Sequence, residues 1–119
     1  MAVTLELFRN ETEFTTAPAG ATLFAEGERG DAMYVIVEGE IDLTIKGRKV
    51  ETLGAGEIFG EMALLDSSPR VATAKAKTAC RLVPISQKRF LFMVQQTPHF
   101  SLHIMRVIAD RLRKMDARL

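Results

Sequence analysis

Three residue types in one short segment are suited to holding an anion beside a hydroxyl-bearing group. Gly60 lacks a side chain, so a ligand can come close to the backbone there. Arg70 carries a guanidinium, which binds two oxygens of a phosphate side by side. Glu61 repels phosphate, but its carboxylate accepts hydrogen bonds from sugar hydroxyls. The set favours a ligand with a phosphate and a sugar; the alternative is that Arg70 and Glu61 pair with each other or with neighbours at the surface.

The backbone of the segment supports the same chemistry. Residues 61–65 favour a single helical turn, and the turn at Ser67-Ser68-Pro69 precedes Arg70. The start of a helical turn presents unpaired N–H groups and a positive dipole end, which attract anions. The segment therefore predicts a nucleotide site built from backbone amides, one arginine and one glutamate.

Composition limits the function classes. The 119 residues are 47% hydrophobic and 26% charged with a net charge of +1, which is typical of one globular domain and gives no reason to expect nucleic acid. Cys80 is the only cysteine, so an intramolecular disulfide is excluded. His99 and His103 have no further ligand nearby, so no metal site is expected. No signal peptide and no membrane span are recognisable, and a cytoplasmic location is expected.

The region that must position these residues, from about 14 to 85, has the pattern of short β-strands. Ile41, Leu43 and Ile45 alternate with polar residues, and 33–37 is an apolar run typical of a strand covered on both faces. Glycine-bearing turns separate the runs at near-regular spacing, which favours a barrel or sandwich. Further strands are predicted over 22–24, 48–53, 71–77 and 81–85.

The periodicity becomes helical after Ser86. Helices are predicted over about 87–96 and 98–117, the second with Thr97 as N-cap and Pro98 at its first position. One apolar stripe follows the second helix: Phe100, Ile104, Val107, Ile108, Leu112, Met115 and Leu119. Because the stripe is long, we expect it to pack partly on a second copy or on another partner; the alternative is that the β-region covers it.

The segment from Phe59 to Leu65, followed by Pro69-Arg70, resembles the phosphate-binding cassette of the cyclic nucleotide-binding domain family. The resemblance extends over nearly the whole chain, because the family's successive turns and closing helices have counterparts in order. These counterparts are Gly20 with Leu23-Phe24, Glu26-Gly27, Gly30-Asp31, Met33 to Gly39, Gly54 and Gly56, then 90–98 and 104–113.

The resemblance implies a fold and a ligand. The fold would be mainly β with flanking helices: a double-stranded β-helix (jelly-roll) barrel closed by two C-terminal helices, with residues 1–119 as one domain. Arg70 would bind the cyclic phosphate and Glu61 the ribose 2′-hydroxyl. Backbone N–H groups near Gly60, Met62, Ala63 and Val71 would complete the phosphate cradle.

The resemblance also bears on the base. The side chains of Met62 and Leu43 would line the base pocket, although both also suit plain core packing. In the family, a threonine or serine after the cassette arginine often favours cGMP; Val71 offers no hydroxyl there, and Thr73 need not face the ligand. We therefore expect cAMP as the ligand, with cGMP as the alternative, and no other cofactor.

The implied role is regulation rather than catalysis. Nucleotide would draw the cassette around Arg70, move the last helix as a lid, and signal to an effector or within a homodimer. The chain ends at Leu119, where the transcription-factor branch continues into a helix-turn-helix, so direct DNA binding is not expected. An enzyme is disfavoured by the absence of a His–carboxylate set in the strands. The main alternative is a nucleotide-independent dimerisation or protein-interaction module on the same fold.

Overall fold

The computed structural model describes residues 14–62, 64, 69–96 and 98–118, apart from the side chains of Phe100 and 111–118. Within these ranges, eight strands are followed by two helices. The strands are β1 (Thr15–Ala17), β2 (Thr22–Phe24), β3 (Ala32–Glu38), β4 (Ile41–Ile45), β5 (Arg48–Leu53), β6 (Ile58–Phe59), β7 (Thr73–Ala76) and β8 (Cys80–Ser86). The helices are α1 (Gln87–Gln96) and α2 (Pro98–Arg118).

The strands form two four-stranded antiparallel sheets. One has the order β1-β8-β3-β6 and the other β2-β7-β4-β5. Strands distant in sequence are therefore neighbours: Val35 pairs with Val83, and Leu43 pairs with Ala74. The mainly β fold with helices is as predicted. Because the strand pairing among the described residues stays within each sheet, closure into a jelly-roll barrel remains a prediction.

The core lies on the inward faces of these strands. In β4, Ile41 and Leu43 are buried while Asp42 is half-buried, as the alternation predicts, because successive side chains of a strand point to opposite faces. In β3, Met33, Val35 and Ile36 are all fully buried. One apolar cluster joins both sheets: Ala17, Phe24, Ile36, Ile41, Leu43, Leu53, Phe59, Ala72, Ala74, Ala76, Cys80 and Leu82.

Hydrogen bonds join two loops, β4–β5 and β2–β3, to the start of β7. The β4–β5 hairpin turns at Lys46 and Gly47, whose φ angles of 53° and 76° fit the type I′ turn that two-residue hairpins favour. The Lys46 N–H donates to the carboxylate of Glu26 in the β2–β3 loop (2.7 Å). The Glu26 N–H in turn donates to the hydroxyl of Thr73 at the start of β7 (3.0 Å). The β2–β3 loop is thereby fixed to the strand that follows Arg70.

Residues 1–87 and 88–119 form separate compact units, and the second contains most of α1 and all of α2. Ile104 in the predicted stripe of α2 is buried, and Val107 and Ile108 are half-buried. The large apolar side chains exposed on the two helices include Leu91, Phe92, Leu102 and Met105. Within the described part of the chain, neither helix is long and apolar enough to cross a membrane.

Candidate functional site

Arg70 is buried, with 7% of its surface exposed, and backbone oxygens hold its guanidinium. Nη1 donates to the carbonyl of Gly60 (2.9 Å), and Nη2 donates to the carbonyl of Ala32 in β3 (2.7 Å). A buried charge is costly unless its hydrogen-bonding groups are satisfied. These two carbonyls, one from the cassette and one from β3, therefore fix the arginine at the point where the two segments meet.

The Nε–H group of the Arg70 guanidinium is a hydrogen-bond donor that the described residues leave unused. An arginine has five N–H groups, and the buried Nε of Arg70 has no hydrogen-bond partner among the described residues. Buried polar groups are nearly always hydrogen-bonded, so an exception calls for a specific reason. An anionic ligand would satisfy this donor.

The ring of Phe24 lies against the guanidinium of Arg70. The Cζ atom of Arg70 lies 4.0 Å from the centroid of the Phe24 ring, within the range of a cation–π contact. The ring itself packs against Phe59 and Tyr34, with centroids 5.8 and 6.3 Å away. The arginine is thus seated on an aromatic cluster that belongs to the core.

Two glycines make room for Arg70. A Cβ atom at Gly60 would lie 2.8 Å from Nη1, and the φ angle of Gly60 is +80°, which disfavours other residues. A Cβ atom at Gly30 would lie 2.6 Å from Cζ and closer still to Nε and Nη2. The φ angle of Gly30 is not in the left-handed region, so glycine is needed there only for the close approach.

The backbone of Arg70 is tied to the β2–β3 loop. Its N–H donates to the carbonyl of Glu28 (2.8 Å), and its carbonyl accepts from the N–H of Gly27 (2.8 Å). These two hydrogen bonds hold the N–H and the carbonyl of Arg70, as in a short antiparallel β-ladder. The position of the arginine is therefore set by its main chain as well as by its side chain.

Burial and acidic neighbours act in opposite directions on the charge. Desolvation by burial lowers the pKa of Arg70 from its ordinary value. Tyr34, Asp31, Glu28 and Glu61 favour the charged form and raise the pKa in return. Because arginine begins so far above neutrality, the guanidinium stays positive at physiological pH and remains able to bind an anion.

Glu61 lies beside this centre and is buried, with 3% exposed. Both Glu61 and Arg70 are buried, so a pairing at the surface does not fit, but the Glu61 carboxylate does raise the pKa of Arg70, so an interaction between the two residues stays open. Met62 is half-buried and, like Leu64, has helical backbone, as the predicted helical turn requires. Ala63 and Leu65 lie outside the described residues, so their expected roles stay predictions.

The remaining predicted residues occupy different environments. Val71 directly follows Arg70 and is 53% exposed. The Thr73 hydroxyl accepts from the backbone of Glu26. Leu43 is a member of the core cluster that contains Phe24, which agrees with core packing and leaves its role at the base a prediction.

Sequence reasoning does not assign Phe24, Gly30, Ala32 or the Gly27–Glu28 backbone to the site. In the sequence, Phe24 and Gly30 stand only as parts of turns that resemble the family. Nothing in the local sequence reveals that they contact Arg70, because the contacts join segments about 40 residues apart. No group of three or more His, Cys, Asp or Glu side chains suited to a metal occurs among the described residues.

Comparison with known proteins agrees with this geometry. The family model for the cyclic nucleotide-binding domain matches residues 14–97. The chain is 33% identical over 107 residues to the CRP-like cAMP-activated global transcriptional regulator of Mycobacterium tuberculosis, a match that covers 86% of this chain and 48% of that protein. The chain belongs to the cyclic nucleotide-binding domain family.

Solved structures share the fold. The catabolite activator protein of Thermus thermophilus superposes with a TM-score of 0.83 at 29% identity, over 99% of this chain and 58% of that one. The cAMP-bound form of the EAL enzyme Bd1971 has a TM-score of 0.66 at 31% identity, over 88% of this chain and 29% of that one. Its cGMP-bound form has a TM-score of 0.69 at 30% identity over the same shares. The chain thus spans about half the length of the regulators it matches, and less of the enzyme.

Proposed function

We propose that this chain is a regulatory sensor domain that binds cAMP at Arg70 and passes the binding on to its C-terminal helices and a partner. The observation that carries the proposal is the buried guanidinium of Arg70, whose Nε–H has no partner among the described residues. A cyclic phosphate supplies the anionic oxygens that this donor lacks. We expect no catalysis and no cofactor besides the nucleotide.

In the proposed complex, the parts of the cassette have separate tasks. Arg70 and the backbone N–H groups near Gly60, Met62, Ala63 and Val71 hold the phosphate. The buried carboxylate of Glu61 accepts from the ribose 2′-hydroxyl, and its burial strengthens such a hydrogen bond. Met62 and Leu43 line the base pocket, within two sheets that we expect to form a jelly-roll barrel.

The preference for cAMP rests on Val71. Its exposed side chain has no hydroxyl for guanine, and the hydroxyl of Thr73, two residues further on, is directed to the backbone N–H of Glu26 (3.0 Å). Bd1971 has been solved with each of the two nucleotides, so the fold by itself accommodates either purine. The choice between them must therefore be measured.

Coupling begins in the proposal at Gln87, the first residue of α1. Its side-chain amide donates to the carbonyl of Leu64 in the cassette (3.3 Å). A cassette that closes on phosphate would move this carbonyl and thereby the start of α1. Nucleotide drives such a change only through its different affinities for the two arrangements. We place the domain in the cytoplasm, with a homodimer or an effector as the receiver of the signal.

The test is a calorimetric titration of protein that has been unfolded, stripped of nucleotide and refolded. We expect one cAMP per chain and weaker binding of cGMP. Heat that is absent with both nucleotides at two temperatures would contradict the proposal, since two temperatures avoid a chance zero in the enthalpy.

A second candidate is an interaction module that needs no nucleotide. Leu91, Phe92, Leu102 and Met105 favour it, because these large apolar side chains on the two helices are exposed and an interface would bury them. The two candidates differ in whether cAMP changes the association state of the chain. A module that acts without nucleotide shows the same association state in sedimentation with and without cAMP, whereas the association state of the sensor changes when cAMP binds.

A further inference from the structure

We propose that Phe24 is a positioning residue for the phosphate-binding arginine: its ring holds the Arg70 guanidinium in the orientation that leaves Nε free for the ligand. The inference rests on the proposed function of Arg70. It extends the site to a residue of β2, outside the cassette, that acts on the ligand through Arg70.

The contact geometry carries the argument. Cζ of Arg70 lies 4.0 Å from the ring centroid, so the guanidinium lies on the face of the ring, where the aromatic quadrupole is negative. Both partners are buried, Phe24 with 9% and Arg70 with 7% of their surfaces exposed. A cation–π contact is stronger when both groups are withdrawn from water.

The ring is itself held in place. Phe24 packs on Phe59 and Tyr34, and these two rings stack on each other with centroids 5.2 Å apart. Gly60 brings the cassette backbone close to Phe24, since a Cβ there would lie 3.3 Å from the ring. A rigid ring beneath a long, flexible side chain reduces the conformations that the arginine must give up when phosphate binds.

An aliphatic residue at position 24 would not hold the Arg70 guanidinium in this way. Leucine or methionine at position 24 fills much of the volume of phenylalanine, but neither has a π face. Only the two carbonyl bonds of Nη1 and Nη2 would then orient the guanidinium. We therefore expect a loss of phosphate affinity that depends on the charge at position 70.

The experiment is a double-mutant cycle with cAMP as the probe, measured by equilibrium dialysis so that weak binding is still quantified. We expect Phe24→Leu to weaken cAMP binding about fivefold to thirtyfold in the unchanged background, which is the range of a partly to fully desolvated cation–π contact. In an Arg70→Gln background the same substitution should change affinity less than about twofold, because the cation is gone. Thermal melts establish that each variant is folded.

The chain offers a matched control. Arg81 lies over the ring of Phe14, with Cζ 4.2 Å from the centroid. Phe14→Leu removes this second cation–π contact in the same way and should leave cAMP affinity unchanged. An equal loss from both substitutions would overturn the inference, because it would reduce the effect to general destabilisation.

A spectroscopic signature separates this inference from the proposed function. Ring current from Phe24 should shift the Nε–Hε resonance of ligand-free Arg70 upfield, and Phe24→Leu should abolish the shift. If the unchanged protein fails to bind cAMP, the proposed function falls, and the role of Phe24 in phosphate binding falls with it. If the unchanged protein binds cAMP and Phe24→Leu binds equally well, or loses as much in the Arg70→Gln background, only the positioning role is overturned.

Discussion

Two arginines of this chain each lie over a phenylalanine ring, yet their surroundings differ. Arg70 is buried and donates to two backbone carbonyls. Arg81 is 44% exposed at its side chain and donates to the carboxylate of Glu38 (3.4 Å), itself 62% exposed. The guanidinium of Arg81 is therefore already neutralised and screened by water, whereas that of Arg70 is oriented by neutral groups. The two arginines thus differ in burial and in whether their direct hydrogen-bond partners are charged, and the proposed anion site at Arg70 rests on both differences.

The largest effect is expected from removing the buried arginine. Arg70→Ala should weaken cAMP binding roughly tenfold to a hundredfold, because hydrogen bonds of a charged group contribute about 1.5–3 kcal/mol. The check is calorimetry on the variant and on Arg81→Ala, its surface counterpart. Equal affinities for Arg70→Ala and the unchanged protein would refute the phosphate assignment.

The second-largest effect is expected from a substitution that crowds the side chain of Arg70. Gly30→Ala would place a Cβ against Nε, Nη2 and Cζ of Arg70, and overpacking of this kind costs about 1–3 kcal/mol. We expect the unfolding free energy to fall by this amount in chemical denaturation, and cAMP to bind more weakly in calorimetry because the guanidinium is displaced.

Gly54→Ala is the matched control for crowding. A Cβ atom at Gly54 would meet no atom within 4 Å beyond its chain neighbours, and the φ angle there is not left-handed. This variant should bind cAMP normally. If Gly30→Ala also bound cAMP with normal affinity, the guanidinium of Arg70 could move away from position 30 without weakening cAMP binding, which would contradict the prediction.

A smaller effect concerns which nucleotide is preferred. Val71→Thr adds a hydroxyl to an exposed position next to Arg70. One net hydrogen bond contributes about 0.5–1.5 kcal/mol, so the ratio of cGMP to cAMP affinity should rise roughly twofold to tenfold. The measurement is a pair of titrations on the variant. Val71→Ser is a second variant for the same test: a rise in the ratio of cGMP to cAMP affinity in both variants would show that the hydroxyl is responsible. An unchanged ratio in both variants would place residue 71 away from the base.

The smallest effect is expected at the surface pair. Glu38→Gln removes the ion pair with Arg81, and exposed pairs contribute about 0–1 kcal/mol. Chemical denaturation should therefore show a change in unfolding free energy below about 1 kcal/mol, and cAMP affinity should be unaffected. A large loss of affinity would show that the two arginine regions are linked.

Much of the fold follows from local pattern. The alternation of Ile41 and Leu43 with polar residues predicts β4 with its buried face, and the change of period at Ser86 predicts where the helices begin. The strand predicted over 71–77 is shorter in the structure, Thr73–Ala76, because the backbone bends at Val71 and Ala72 before it and at Lys77 after it. The strand β6, Ile58–Phe59, has only two residues, too few for a pattern to predict.

The site is predictable only in part. Gly60, Glu61 and Arg70 can be found because a missing side chain, a carboxylate and a guanidinium stand within one segment. Phe24, Gly30 and Ala32 escape prediction because they reach Arg70 only through the packing of β2 and β3 against the cassette. A phenylalanine in a strand and a glycine in a turn have ordinary structural explanations, and only the assembled structure shows which neighbour they contact.

The most direct measurement follows the Nε–Hε resonances of Arg70 and Arg81 during a cAMP titration, assigned with the two alanine variants. A phosphate that accepts from Nε of Arg70 should move its resonance downfield to saturation at one nucleotide per chain, while Arg81 stays in place. An Arg70 resonance that is unchanged at saturating cAMP would contradict the account. So would an equal movement of both resonances, because the buried arginine would then have no special role in binding.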